Sequence, residues 1–126
     1  MKFFARTIIL LIGITLVLTS AGLGAKPKNT LKLDKEIYSK GQEIIVKFSV
    51  QKGLPKDAWI GIIPSNIKHG SEAENDKYDL TYQYLNGKAK GTMKFAAPHT
   101  PGKYDIRLHS TDNNGVELMS VTFTVK

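Results

Sequence analysis

Lysines occupy alternate positions of one segment, at Lys88, Lys90 and Lys94. Ala89, Gly91, Met93 and Phe95 alternate with polar residues along this segment, which is the pattern of a strand with one buried face. At about 3.3 Å per residue, the three ammonium groups are expected on one face within about 20 Å. Such a face attracts anionic surfaces, and its binding is expected to weaken with added salt.

The next predicted strand adds two cations. Lys103 begins it and Arg107 lies on its polar face, so the stripe is predicted to widen if the two strands pair. Lysine in place of arginine favours diffuse attraction over bidentate phosphate recognition. The alternative is a solvated strand face whose lysines guard the sheet edge against aggregation.

Carboxylates are concentrated around residues 72–79, at Glu72, Glu74, Asp76 and Asp79. Hard cations such as calcium prefer oxygen ligands, so these four residues are a candidate calcium site. The segment lacks the glycine and the spacing of an EF-hand loop, and a solvated charge cluster is the alternative interpretation.

Nucleophilic chemistry has little support. Ser71 lies close to His69 in a polar segment, while His99 and His109 are isolated from other candidate groups. The chain has no Gly-x-Ser-x-Gly elbow, no His-Glu-x-x-His pair and no phosphate-binding loop. With no cysteine, disulfides, thiol catalysis and Cys-ligated metals are excluded. The sequence therefore predicts no enzyme, no catalytic residues and no cofactor.

The first 25 residues are predicted to be a secretory signal peptide. Lys2 and Arg6 precede an apolar run over residues 8–18, which is followed by small residues ending at Ala25. A run of eleven residues rises only about 16 Å as a helix, which is short of a bilayer core of about 30 Å. Export is therefore expected, and the mature chain is expected to begin near Lys26. Because the protein is expected to be exported, we do not expect it to bind nucleic acid.

Residues 26–126 are predicted to form a single domain of strands. Apolar and polar residues alternate with a period of two, and Asn86-Gly87 predicts a hairpin between two of the runs. A polar segment, 65–78, is predicted to be a long loop. The predicted strands centre on residues 31–33, 44–50, 59–63, 80–84, 88–95, 104–108 and 121–125.

Seven strands in a domain of this size predict an all-β fold, a seven-stranded antiparallel immunoglobulin/fibronectin-III-like sandwich. A small closed barrel is the alternative. Trp59, on a strand that is apolar on both faces, is expected in the core. Tyr78, Tyr82 and Tyr84 combine an apolar body with a polar tip, and we include Tyr82 among the predicted binding residues.

Three stretches carry a resemblance to a known family: Asp57-Ala58-Trp59-Ile60-Gly61-Ile62, Tyr84-Leu85-Asn86-Gly87 and the run from Ala97 to Leu108. Together with the run from Tyr38 to Val46, they resemble bacterial secreted Ig-like domains, which also occur as accessory modules beside exported phosphoesterases. The Trp-Ile-Gly-Ile element is similar to that of SKICH domains. The resemblance implies a sandwich fold and a binding or spacing role.

The segment from Gly102 to Val125 is also similar to the end of periplasmic copper-resistance carriers. Those carriers use an N-terminal histidine and a histidine in the last turn, where this chain has Lys26 and Asn113-Asn114. Copper is therefore a minor alternative.

We expect a secreted or periplasmic, non-enzymatic binding module. Its expected partner is a protein or polysaccharide of acidic character, with no stable membrane insertion after signal cleavage. An accessory subunit or inhibitor of an exported hydrolase, and a calcium- or copper-handling sandwich, are the alternatives. The predicted binding residues are Lys88, Lys90, Lys94, Lys103, Arg107 and Tyr82.

Overall fold

The computed structural model describes residues 29–126, so the predicted signal peptide (1–25) and the expected cleavage site near Lys26 lie outside the described residues. Within the described part, no helix has the length and apolar character needed to cross a membrane. The elements are β1 (Thr30–Leu33), β2 (Ile37–Tyr38), β3 (Glu43–Ser49), β4 (Trp59–Pro64), α1 (Glu72–Asp76), β5 (Thr81–Tyr84), β6 (Lys90–Ala96), β7 (Gly102–His109) and β8 (Glu117–Val125). The all-β prediction is confirmed.

The strands form two sheets that share one hydrophobic core. Three strands are ordered β1-β3-β6, and five are ordered β2-β8-β7-β4-β5. Ile44 from the first sheet and Ile62 and Ile106 from the second are fully buried in the same cluster. Along β3, buried residues alternate with half-buried or exposed ones, as a period of two predicts.

The strand count and the pairing differ from the prediction. The described residues form eight strands rather than seven, and β2 pairs parallel to β8, with Ile37 opposite Thr124. A strand of two residues is too short to show any alternation, which is why the sequence did not reveal it. The seven-stranded, purely antiparallel arrangement is therefore not confirmed.

The predicted hairpin at Asn86-Gly87 is wrong, although the turn itself is present. Both residues have positive φ, 54° and 83°, as a tight Asn-Gly turn requires. However, β5 pairs with β4 and β6 pairs with β3, so the turn carries the chain from one sheet to the other. The dipeptide specifies a reversal of the chain, whereas the burial of Met93 and Phe95 in the core decides where β6 pairs.

The segment 65–78, predicted as a long loop, contains α1 and covers the outer face of the five-stranded sheet. Ser71 caps the helix, because its Oγ accepts a hydrogen bond of 3.2 Å from the backbone N–H of Glu74. Glu72 and Asn75 are buried beneath the helix. A helix of five residues is too short for a helical period to stand out in the sequence.

Candidate functional site

Four exposed lysines project from the outer side of the three-stranded sheet, and we call them the lysine face: Lys32 on β1, Lys47 on β3, and Lys90 and Lys94 on β6. Lys32 is the register partner of Lys47, and Lys47 is that of Thr92, which lies between Lys90 and Lys94. Direct partners have Cβ atoms about 5 Å apart and diagonal neighbours about 7–8 Å apart. The four ammonium groups therefore share one patch.

Two carboxylates lie near the lysine face. Asp34 lines a cavity together with Lys32 and Lys47, although within residues 29–126 it forms an ion pair with neither. Among residues 29–126, the one ion pair of the lysine face joins Lys94 Nζ to Glu43 Oε2 at 3.9 Å. Those two side chains are 67% and 57% exposed, so the pair contributes little. Like charges directly opposite each other destabilise a sheet, which makes the Lys32–Lys47 pair unfavourable in the free protein. Lys88, just before β6, is exposed and adds a further cation nearby.

Lys103 and Arg107 do not belong to this face. Both lie on β7 in the five-stranded sheet, and β7 does not pair with β6. Lys103 is exposed there, whereas the Arg107 side chain is fully buried. The expected widening of the basic stripe is therefore wrong, because strand alternation shows which way a residue points but not which sheet its strand joins.

Arg107 is instead the centre of a buried ionic network. Its Nη2 lies 2.8 Å from Asp105 Oδ2, and its Nη1 lies 3.5 Å from Glu117 Oε1. The guanidinium also donates to Asn75 Oδ1 at 2.9 Å and to the carbonyl oxygen of Ile67 at 2.8 Å. Arg107 thus fastens the segment that contains α1 to the sheet, and its geometry gives it a structural role.

Trp59 and His109 stack beside this network, with ring centroids 3.7 Å apart. Trp59 is buried as expected, but on the outer face of the five-stranded sheet rather than between the sheets, and its Nε1 donates to Glu72 Oε2 at 3.1 Å. His109 Nε2 lies 3.1 Å from Asn75 Oδ1, whereas its buried Nδ1 has no hydrogen-bond partner among residues 29–126. Burial lowers the pKa of His109 to about 4 and raises the pKa of Glu72.

The fold brings together only some of the carboxylates that were predicted to form a calcium site. Glu72 and Asp76 lie together with Asp112, and one carboxylate oxygen of each is within 4.8 Å of the others. Glu74 instead forms an ion pair of 3.3 Å with a lysine three residues further on. Burial, together with Asp76 and Asp112, raises the pKa of Asp79. The calcium site stays a prediction, with Asp112 as the member that the sequence did not indicate.

Tyr82 lies on β5, on the side of the molecule away from the lysine face. It is 48% exposed and packs edge-on against Trp59 and Tyr84, at centroid distances of 6.0 and 5.3 Å. The Tyr84 hydroxyl donates to Asp112 Oδ2 at 2.6 Å, and this hydrogen bond raises the pKa of Tyr84. Tyr82 and the lysines therefore do not form one site.

His69 and Ser71 have separate partners. His69 Nδ1 lies 2.6 Å from Glu117 Oε2, while Ser71 caps α1. His99 is exposed beside the turn at Gly41. His69 Nε2 also lies 3.3 Å from Arg107 Nη2 and 3.6 Å from Asp105 Oδ2. The expectation of a non-catalytic protein stays a prediction.

Two members of the lysine face were missing from the predicted site. Lys32 and Lys47 occupy polar positions of strands that the sequence does indicate, so their outward direction was predictable. Their meeting with Lys90 and Lys94 depends on the pairing of β3 with β6, two strands separated by β4 and β5 in the chain. No local pattern encodes such a pairing.

Comparisons with known proteins assign no family. No family model and no curated protein matches the chain. Among solved structures, the soluble domain of PmoD from Methylocystis sp. ATCC 49242 (Rockwell) is similar, with 14% sequence identity and a TM-score of 0.45. The match covers 78% of this chain and 90% of that chain. At this level of similarity, nothing about that protein is carried over to this one.

Proposed function

We propose that this protein is an exported, non-enzymatic binding module that recognises an acidic macromolecule at the bacterial envelope or exterior. The lysine face is the recognition surface, and the observation that carries the proposal is the placement of Lys32 directly opposite Lys47, neither of which forms an ion pair with a residue between 29 and 126. The apolar run and small residues of the first 25 positions support export. We also propose that the two sheets are a variant of the immunoglobulin-like, SKICH-like sandwich.

An anionic partner relieves the repulsion within the lysine face. Neighbouring ammonium groups on a rigid sheet raise each other's energy, and a polyanion that lies across the strands replaces this repulsion with attraction. The four lysines lie at outward positions of three neighbouring strands, so their charges are spread over the sheet surface. Such a surface suits an extended polyanion, whose charges recur along its length.

The exposure of the lysines determines the strength and the salt dependence of the proposed binding. Exposed ammonium groups interact through water of high dielectric constant, so each contact is worth about 0.2–1 kcal/mol. The Debye length is about 8 Å at physiological ionic strength, which makes such contacts sensitive to salt. We expect moderate affinity that depends on several lysines together rather than on any one of them.

Elution from immobilised heparin tests the proposal. Replacing Lys47, Lys90 and Lys94 with Gln removes three charges from the lysine face, and replacing Lys68, Lys77 and Lys103 with Gln is the control of equal charge, directed at lysines outside it. Three lost contacts of about 0.2–1 kcal/mol each weaken binding by between about threefold and a hundredfold.

The first variant should therefore elute at clearly lower salt than the control, with both melting near the wild-type temperature. Surface substitutions change stability by only about 0.5 kcal/mol each, so a lost fold is not expected to confuse the result. If the two variants elute together, the lysine face is only a solvated sheet surface and the proposal fails.

A further inference from the structure

A cleft opens between the two sheets next to the lysine face. Its volume is about 340 Å³, which lies at the lower end of the range of about 300–1,000 Å³ found for small-molecule sites. It lies where the chain crosses from β5 to β6, two edge strands that do not pair with each other. Gln83 bridges the gap, because its Nε2 donates to the carbonyl oxygen of Lys94 at 2.6 Å.

The cleft is closed beneath by core residues, among them Phe48 and Met93, which retain only 5% and 8% of their exposure. Gly91 is what lets the Phe48 ring reach this position. A Cβ atom at residue 91 would lie 2.9 Å from Phe48 Cζ, so any side chain there would displace the ring. Because both side chains are almost completely buried, the floor of the cleft offers little apolar surface and its accessible lining is mostly polar.

The rim of the cleft is polar and basic. Lys88 and Lys90 line it, and neither forms an ion pair with any residue between 29 and 126. Asn86 and Thr92 add an amide and a hydroxyl. Lys90 also belongs to the lysine face, so the cleft and that face are continuous.

A mostly polar cleft with two lysines on its rim matches one class of ligand. An acidic sugar has hydroxyl groups for Asn86 and Thr92 and a carboxylate or sulfate for the lysines. The side chains of an acidic peptide offer charges but no hydroxyl groups, so the exposed lysine face serves such a peptide as well as the cleft does.

We propose that the cleft seats one anionic sugar residue of an acidic polysaccharide, whose neighbouring residues run across the lysine face. This inference rests on the proposed function and narrows it, because it identifies the acidic macromolecule as a polysaccharide. Lys88 and Lys90 bind the acidic group of the seated sugar, and Thr92 lies at the mouth of the cleft.

Calorimetric titration with two probes tests this. The probes are a galacturonate hexasaccharide and a glutamate hexapeptide blocked to carry the same charge. We expect the saccharide to bind the wild-type protein at least about tenfold more tightly than the peptide. Lys88→Gln should weaken saccharide binding by about tenfold or more, because a hydrogen bond to a charged group at the cleft is stronger than an ion pair on the open surface of the lysine face. Lys32→Gln, the charge-matched control outside the cleft, should weaken it by less than about fivefold.

Two further readouts keep the proposal falsifiable. Thr92→Tyr, a change at an exposed strand position, should block the cleft and therefore reduce saccharide binding by a larger factor than peptide binding. The Met93 methyl signal in NMR spectra of the wild-type protein should shift with saccharide and not with peptide. Equal affinity for both probes, equal loss in Lys88→Gln and Lys32→Gln, or an unmoved Met93 signal overturns the polysaccharide assignment. Loss of heparin binding in the lysine-face variant would then still support the proposed function, whereas unchanged heparin elution refutes the function itself.

Discussion

Replacement of His109 by Phe should remove a large part of the protein's sensitivity to mild acid. The imidazole is fully buried against Trp59, and burial lowers its pKa to about 4 from the ordinary 6.5. Asn75 Oδ1 and the Arg107 guanidinium lie beside it, and the nearby positive charge of Arg107 also opposes protonation. The folded protein therefore holds His109 neutral where the unfolded chain would protonate it.

The sign follows from proton linkage. Between pH 6.5 and about 4 the unfolded state binds more protons at this residue than the folded state does, so stability falls as the pH is lowered. At about 1.4 kcal/mol for each tenfold change in proton affinity, His109 destabilises the fold by about 2 kcal/mol at pH 5 and by about 3 kcal/mol near pH 4. Above about pH 7 it contributes no pH dependence.

Denaturant unfolding of wild type and His109→Phe at pH 8, 6 and 5 measures this contribution. Burial raises the pKa of Glu72, which gives a pH dependence of opposite sign, but this term is common to both proteins and cancels in the difference. The free energy of unfolding should fall by about 2 kcal/mol less in the variant than in wild type between pH 8 and 5. Substituting the exposed His99 with Gln is the control and should leave the wild-type profile in place. Parallel profiles for wild type and His109→Phe would refute the argument.

Two further substitutions address the buried layer under α1. Trp59→Ala should lower the free energy of unfolding by about 3–5 kcal/mol, since it removes the ring stacked on His109, and a variant that melts within a few degrees of wild type would contradict this. Arg107→Met should cost about 3–5 kcal/mol, because Asp105 and Glu117 lose their buried cationic partner. Adding Asp105→Leu to Arg107→Met should restore part of the lost free energy of unfolding, measured by chemical denaturation. If the effects of the two substitutions on this free energy simply add, the ion pair is unimportant.

Much of the strand content was predictable because side chains on a strand alternate between two environments. In β3, Ile44 and Val46 are buried and Lys47 is exposed, as their types predict. The same rule misled at β7, where Asp105 and Arg107 are polar but buried. Alternation shows that the polar residues of a strand lie on the opposite face from the apolar ones, but it does not show whether that face is exposed. Here α1 covers it.

The arrangement of strands into sheets was less accessible from the sequence. Asn86-Gly87 fixes a turn through its positive φ values, yet the strands on either side belong to different sheets. Asp112 joins Glu72 and Asp76 from a distant turn, and no local spacing indicates that contact. Pairings of this kind depend on which combination of strands buries the most apolar surface, and that is a property of the whole chain.

The interleaved order of the three-stranded sheet has a consequence for the folding kinetics. None of its strand pairs is consecutive in the chain, and Glu43 must find Ala96 across the excursion through β4 and β5. The chain must lose the entropy of the intervening loop before these contacts can stabilise it. We therefore expect folding on a timescale of about milliseconds to seconds. Until β3 and β6 meet, the facing edges of these two strands lack their native hydrogen-bond partners. The lysines on their outer side then give nascent chains a mutual repulsion that delays intermolecular pairing until the native partner arrives.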